Sequence, residues 1–397
     1  MKKITKKILH VVSSMDPVLG GVCKAVRTIT TSLIANGIDN EVVSLDDPNA
    51  SFISNDSFTL YALGKADNAW AYNPNLLPWL KNNLHKYDYV VIHGLWLYSS
   101  YAVNKACKAF KNTKYFVMPH GMLDPYFQKA SGRRLKAFRN WFYWKIIERK
   151  VINNSHGLLF TCEEELFLAR KPFKPYKPNK EIIVGLGVEE PPKYNPNMSV
   201  AFFNICKELE NRPFFLFLSR IHEKKGVDIL IEAYKKSIVN KSKESDIPVL
   251  VIAGPGLDTN YGKKILEMVN EDVTLNNTIF FPNMLTGDAK WGAFYNCEAF
   301  VLPSHQENFG IAVVEALACG KPVLISNQIN IWKEIHQAKA GIIQEDTLKG
   351  TTGFLQDWIK MSLEKKEMMS NNAEVCFQTY YSIDSAVERW KNKVLSI

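Results

Sequence analysis

Arg220, Lys225, Glu307 and Glu315 are spaced to suit a charged, hydroxylated ligand, and His93 and His120 add two imidazoles earlier in the chain. Arg220 follows the apolar run "FFLFLS", and Lys225 comes five residues later, just before Gly226. Two cations behind such a run suit a phosphate or diphosphate, because a guanidinium forks onto two oxygens and an ammonium acts as a point charge. The same "HEKKG" stretch also reads as a solvated basic loop. Glu307 and Glu315 lie eight residues apart in "SHQENFGIAVVEALACGKPV", which begins at Ser304. If the whole interval were helical they would be roughly 12 Å apart. Acids that far apart cannot share one proton, but each can accept hydroxyl hydrogen bonds along an elongated ligand. Gly310 stands where the helix should start, and free N–H groups there favour an anion. Glu315 lies between "IAVV" and "ALAC", so core should surround it and it needs a partner. The alternative is an exposed Glu307 and a helix-surface Glu315.

Other signals are weaker singly. "GPG" at Gly254–Gly256 follows "VLVIA" and allows a tight turn or a close approach of backbone. "DPVLGG" places Gly20 and Gly21 after the first apolar run, without the G-x-G-x-x-G spacing of a nicotinamide site. His120 in "MPHG" and His93 in "IHG" end apolar runs, where a loop-capping histidine is the competing reading. No Asp-x-Asp triplet occurs.

The elements that must position these residues follow from the alternation of the sequence. "KILHVV", "EVVSL", "YVVIHG", "YFVMPHG" and "GLLFT" read as buried strands, and "VRTITTSLIANG" as a helix closed by Gly37. Strand and helix in turn imply a parallel sheet covered on both faces. The rhythm pauses at "KPFKPYKPNK" and at "EEPPKYNPN", the better linker. It resumes with "FFLFLSR", "IPVLVIAG", "TIFFPN", "AFVLPS" and "PVLIS". A chain of 397 residues suits two such domains. Their expected limits are 1–190 and 191–375, with a helical tail over 376–397. Open parallel sheets bind ligands at the carboxyl ends of their strands, and two facing sheets would form a cleft.

Composition narrows the partners. The net charge of +9 points to an anionic one. Seven cysteines without a C-x-x-C pair suggest a reducing compartment rather than disulfides or zinc. The apolar run in "MKKITKKILHVVSSMDP" is too short for a signal peptide, and no stretch nears the ~18 apolar residues of a spanning helix. A cytoplasmic protein is expected. The segment 129–150 carries eight Lys or Arg against one Glu, with Phe138, Trp141, Phe142, Tyr143 and Trp144 among them. That pattern suits an anionic bilayer surface, or else a helix that packs its aromatics inward.

"FLSRIHEKKGVDILIEAY", "VIAGPG" and "SHQENFGIAVVEALACGKPV" together resemble the retaining, nucleotide-sugar-dependent glycosyltransferases of family 4. The resemblance is strongest from Phe214 to Ser326 and fainter in the first half. It implies an α/β GT-B fold: two Rossmann-like, doubly wound parallel-sheet domains facing a cleft, with the last helix crossing back to the first domain. It implies catalytic roles for His120, Arg220, Lys225 and Glu307. Arg220 and Lys225 would hold the donor diphosphate, and Glu307 would accept from donor-sugar hydroxyls beside the amides of Asn308, Phe309 and Gly310. Glu315 would hold the ribose, Gly254, Gly256, Met284 and Leu285 would flank the base, and Gly20 and Gly21 would bring amides to the phosphates. His120 would lie near the transferred sugar and His93 on the acceptor side. No metal or cofactor is expected, because the two cations can take a metal's place on the diphosphate. The partners implied are a nucleotide sugar, with UDP-glucose ahead of GDP-sugars, a saccharide or polyprenyl-linked acceptor, an anionic membrane surface through 129–150, and no nucleic acid. A nucleotide-sugar epimerase or hydrolase of the same fold is one alternative. A non-catalytic basic protein that binds membrane or nucleic acid is another.

Overall fold

The computed structural model describes residues 6–66, 68–110, 112–129, 134–209, 212–239 and 247–396. The chain forms two compact units. The first runs to Glu189 and resumes at Ile383, and the second is Glu190–Ser382. The passage between them lies in the proline-rich "EEPPKYNPN". Residue 376 sits inside a helical run, Leu363–Cys376 continued through Tyr381, so the return comes at Ile383.

Among the described residues, the first unit holds a seven-stranded parallel sheet. Its strands are β1 (Lys7–Val11), β2 (Asp39–Ser44), β3 (Thr59–Ala62), β4 (Tyr89–His93), β5 (Lys114–Met118), β6 (Gly157–Phe160) and β7 (Glu181–Ile183), in spatial order β3-β2-β1-β4-β5-β6-β7. The central strands are buried almost throughout, as continuous apolar runs require when helices cover both faces. Helix Gly21–Ala35 turns Val26, Ile29 and Leu33 inward. The tail helix Ile383–Lys393 packs Val387 and Trp390 against Ile8, Leu33 and Tyr89. Burying each such apolar side chain stabilises by about 1.5–3 kcal/mol. Gly185, where the tail crosses, has φ 76°, a left-handed conformation that favours glycine.

The second unit holds six parallel strands among the described residues: β8 (Phe214–Leu218), β9 (Val249–Ala253), β10 (Ile279–Asn283), β11 (Ala299–Leu302), β12 (Val323–Ser326) and β13 (Gly341–Gln344), in order β10-β9-β8-β11-β12-β13. Three strands that the sequence pattern did not announce are β3, β7 and β13, and all three lie at sheet edges. These three edge strands are short and half-buried, so they lack the unbroken apolar run that marks their neighbours.

Candidate functional site

In the second unit Arg220, Gly254–Gly256 and Glu307 follow the carboxyl ends of the adjacent strands β8, β9 and β11, and Lys225 pairs with Glu307 there. After β8 the chain runs flat against the turn that follows β9. Ser219 N–H donates to Ala253 O at 3.1 Å, and Ile221 N–H donates to Pro255 O at 2.8 Å. This contact explains the glycines of "GPG". A Cβ on Gly254 would lie 1.9 Å from Ser219 O, and one on Gly256 would lie 2.6 Å from Ile221 O. Arg220 is left exposed at this junction.

Lys225 closes a short 3-10 turn, Glu223–Lys225, whose left-handed end falls on Gly226 (φ 67°). It is only 8% exposed, and its ammonium forms an ion pair with the Glu307 carboxylate. The Glu307 backbone is fixed on both sides. Its N–H donates to Gln328 O and its carbonyl accepts from Asn330 N–H, each at 3.0 Å. Asn330 Nδ2 also donates to Asn308 Oδ1 at 3.3 Å. Gly310 begins helix Ile311–Ala318 with φ 75°, a left-handed conformation that favours glycine. Phe309 buries its ring edge-on against Tyr381, 5.8 Å away.

Glu315 is 6% exposed and has the partner its apolar setting demanded, for Lys290 Nζ stands 2.7 Å from its Oε1. Lys290 was not foreseen. It comes from the distant helix Gly287–Asn296, and no local spacing links "DAKWG" to Glu315. Met284 is 65% exposed while Leu285 is buried, so of these two only Met284 presents its side chain. Each acid thus sits opposite a lysine. A ligand with phosphates and hydroxyls could engage both signs of charge at fixed positions.

In the first unit Gly20 (φ 87°) turns the chain into helix Gly21–Ala35. Its own N–H donates to Pro17 O at 3.2 Å, so this amide serves the loop rather than a phosphate. Of the expected pair, Gly21 is the one whose amide opens the helix. Asp46 anchors the loop by accepting from Ser14 Oγ at 2.6 Å and from Met15 N–H at 2.8 Å.

His93 requires a correction. It is 2% exposed and both its nitrogens are engaged, Nε2 with His10 Nδ1 and Nδ1 with His120 Nε2, each at 2.9 Å. It has no nitrogen left for a saccharide acceptor. Burial holds the pKa of His10 and of His120 down to about 4 and that of His93 well below the ordinary value, so all three are neutral near pH 7. His120 is partly exposed, with φ 51°, and next to it Gly121 N–H donates to the buried Glu165 at 2.6 Å. His10 was overlooked, although a histidine inside the apolar strand "KILHVV" needs a partner.

The basic segment spans helix Arg134–Tyr143, a π-helical turn Trp144–Glu148 and helix Arg149–Asn154, and its residues 130–133 lie outside the described ones. Its aromatics divide. Trp144 is buried, stacked 4.9 Å from Phe173, whereas Leu135, Phe138, Trp141 and Phe142 are exposed. Glu148 is fully buried in the turn, and burial pushes its carboxyl up to about 8. Among the described residues, no helix is long and apolar enough to cross a membrane.

Two family profiles match this chain. "Glycosyl transferases group 1" matches residues 201–375 and "Glycosyltransferase Family 4" matches residues 19–175. Among individual sequences, a D-inositol 3-phosphate glycosyltransferase of Corynebacterium urealyticum is 21% identical over 65% of this chain and 60% of its own. An uncharacterized glycosyltransferase of Methanocaldococcus jannaschii is 27% identical over 46% and 45%. The chain thus spans about half the length of the curated relatives it matches. Solved structures match over nearly the whole chain. Anabaena Alr3699/HepE in complex with UDP superposes with a TM-score of 0.74 at 15% identity, covering 98% of this chain and 100% of that one. A glycosyltransferase of Rickettsia africae gives 0.73 at 18% identity, covering 98% and 100%.

Proposed function

The chain belongs to glycosyltransferase family 4 and has the two-sheet GT-B architecture, and on that footing we propose that it is a retaining hexosyltransferase that uses a nucleotide sugar. The observation that carries this reading is the convergence in the second unit. Arg220 stands exposed after β8, Lys225 is paired with Glu307, and Glu315 is paired with Lys290. In this reading Arg220 and Lys225 take the diphosphate, Glu307 turns from Lys225 to sugar hydroxyls, and Glu315 takes the ribose. Met284 and the turn Gly254–Gly256 flank the base. In the first unit His120 accepts from a saccharide hydroxyl.

The chemistry follows from charge. The bond between the anomeric carbon and the phosphate oxygen breaks, and its electron pair leaves with the diphosphate. The acceptor oxygen attacks the anomeric carbon from the same face, and its proton passes to the departing diphosphate. Fixed cations stabilise that leaving group without reorganising, and they perform the task a divalent ion performs elsewhere. UDP is placed ahead of GDP because the Anabaena protein was solved with UDP and with UDP-glucose. The acceptor is a glycan or lipid-linked saccharide of polysaccharide assembly on the cytoplasmic face of a membrane. Support for that setting is the exposed row Leu135, Phe138, Trp141 and Phe142 beside Lys136, Arg139 and Lys145.

The test is release of nucleoside diphosphate from a panel of UDP- and GDP-hexoses with saccharide acceptors, with product anomers read by proton NMR. Transfer with retained configuration that survives EDTA is expected. Inversion, or activity lost to EDTA and restored by magnesium, would overturn the mechanism. Hydrolysis or isomerisation that ignores every acceptor would favour the epimerase or hydrolase reading.

A further inference from the structure

Three histidines and an asparagine, from three strands of the first unit and the turn beyond a fourth, form one hydrogen-bonded line. Asn40 on β2 meets His10 on β1, His10 meets His93 at the end of β4, and His93 meets His120 just beyond β5. The separations are 3.0, 2.9 and 2.9 Å. The rings of each histidine pair lie 5.2 Å apart between centroids, tilted by 31° and 26°. With facing nitrogens 2.9 Å apart at that centroid distance, the rings of each pair meet edge to edge, with one proton between the nitrogens.

The direction of every proton in this line is fixed from its buried end. Asn40 Nδ2 lies 2.7 Å from Ile38 O. A carbonyl only accepts, so the amide nitrogen must face it, and Asn40 Oδ1 must face His10 Nε2. That oxygen also only accepts, so His10 carries its proton on Nε2 and offers a lone pair at Nδ1. His93 must then donate from Nε2 and accept at Nδ1, and His120 must donate inward from Nε2. The one nitrogen left over is His120 Nδ1, and it bears a lone pair. Other contacts leave the chain of donors intact. The Trp390 ring packs on His10 with centroids 6.1 Å apart, and the Glu165 carboxylate accepts from the N–H groups of Gly121 and Thr161 and from the Thr161 hydroxyl.

We propose that Asn40, His10 and His93 are positioning residues that hold His120 as a neutral hydrogen-bond acceptor, with Nδ1 presented to a ligand hydroxyl. The inference deepens the reading of His120 given above and rests on it for its purpose, though not for its geometry. Such a line reports only the position of a proton. An extra proton at His10 would place N–H on both its nitrogens, reverse His93 and then His120, and turn the outer Nδ1 from acceptor to donor.

The experiment is NMR of the full chain labelled with ring-15N histidine, in the wild type and in Asn40→Asp, with turnover measured on the same samples. In the wild type all three residues are expected as neutral Nε2–H tautomers near pH 7. Nδ1–H or imidazolium at any of them would overturn the proposal. The Asn40→Asp side chain still accepts from His10 Nε2 and adds a charge that draws a proton onto that ring, while it gives up the donation to Ile38 O. As pH is lowered and His10 becomes charged, His120 is expected to convert to Nδ1–H in step, and kcat to fall at least tenfold. A His120 that stays Nε2–H while His10 charges would overturn the coupling. Tautomers that switch as expected with unchanged turnover would uphold the relay and refute the placement of His120 at a saccharide.

Discussion

The two units hold polar groups at the ends of their strands in opposite ways. In the second unit the groups are charged and paired, Lys225 with Glu307 and Lys290 with Glu315. In the first the most deeply buried line is neutral, three histidines beginning at Asn40, together with a Glu148 carboxyl whose burial favours its protonated form. A paired site can exchange its internal partner for a ligand of matching charge. A neutral line has no net charge to exchange and can only fix which atom carries a proton. In the proposed reading the first kind of site takes a charged ligand and the second orients a hydroxyl.

The contrast breaks soonest at Glu307. Glu307→Gln and Glu307→Ala should lower kcat by about 10²–10³-fold while circular dichroism stays native. Near-normal turnover would remove Glu307 from the site. Next comes Glu315→Gln, which should weaken a ribonucleoside diphosphate about tenfold to a hundredfold, the worth of a charged hydrogen bond, and leave the 2′,3′-dideoxy form nearly unaffected. Equal loss for both would take the ribose away from Glu315.

Glu148 sharpens the neutral side. The folded carboxyl keeps its proton up to about 8, whereas the unfolded chain loses it near 4.5. Between those values the folded state binds more protons, so stability falls as pH rises. Glu148→Gln mimics the protonated acid and should gain on the wild type across that window by at most about 1.4 kcal/mol per pH unit. A constant difference in thermal midpoint from pH 5 to pH 8 would show that Glu148 is ionised in the fold. The smallest effect per residue belongs to the basic segment. Replacing Lys136, Arg139 and Lys145 by glutamine should weaken sedimentation with anionic vesicles by about 1 kcal/mol per residue. Unchanged sedimentation would leave the exposed Phe138 and Trp141 without a membrane role.

What was legible in the sequence follows from the same contrast. Charged residues inside or beside apolar runs stand out, so Arg220, Lys225, Glu307 and Glu315 could be named from spacing alone. The central strands were equally plain, because burial on both faces demands continuous apolar runs. The edges β3, β7 and β13 were not, since half-buried strands show no such run. The partners were not legible either. Lys290 meets Glu315 from another helix, and Asn40 and His10 meet His93 across neighbouring strands. Register sets those contacts, and it becomes visible only once the sheet is assembled. The acceptor-side reading of His93 failed for this reason: its position at a strand end was right, but its neighbours on β1 and beyond β5 had claimed both nitrogens.

The most direct test is calorimetric titration of UDP, GDP and ADP into the wild type and into Lys225→Ala. One diphosphate, UDP first among them, should bind the wild type and bind the variant at least tenfold more weakly. Binding that is unchanged in Lys225→Ala, or no binding of any diphosphate to the wild type, would contradict a donor site built on Arg220, Lys225 and Glu307.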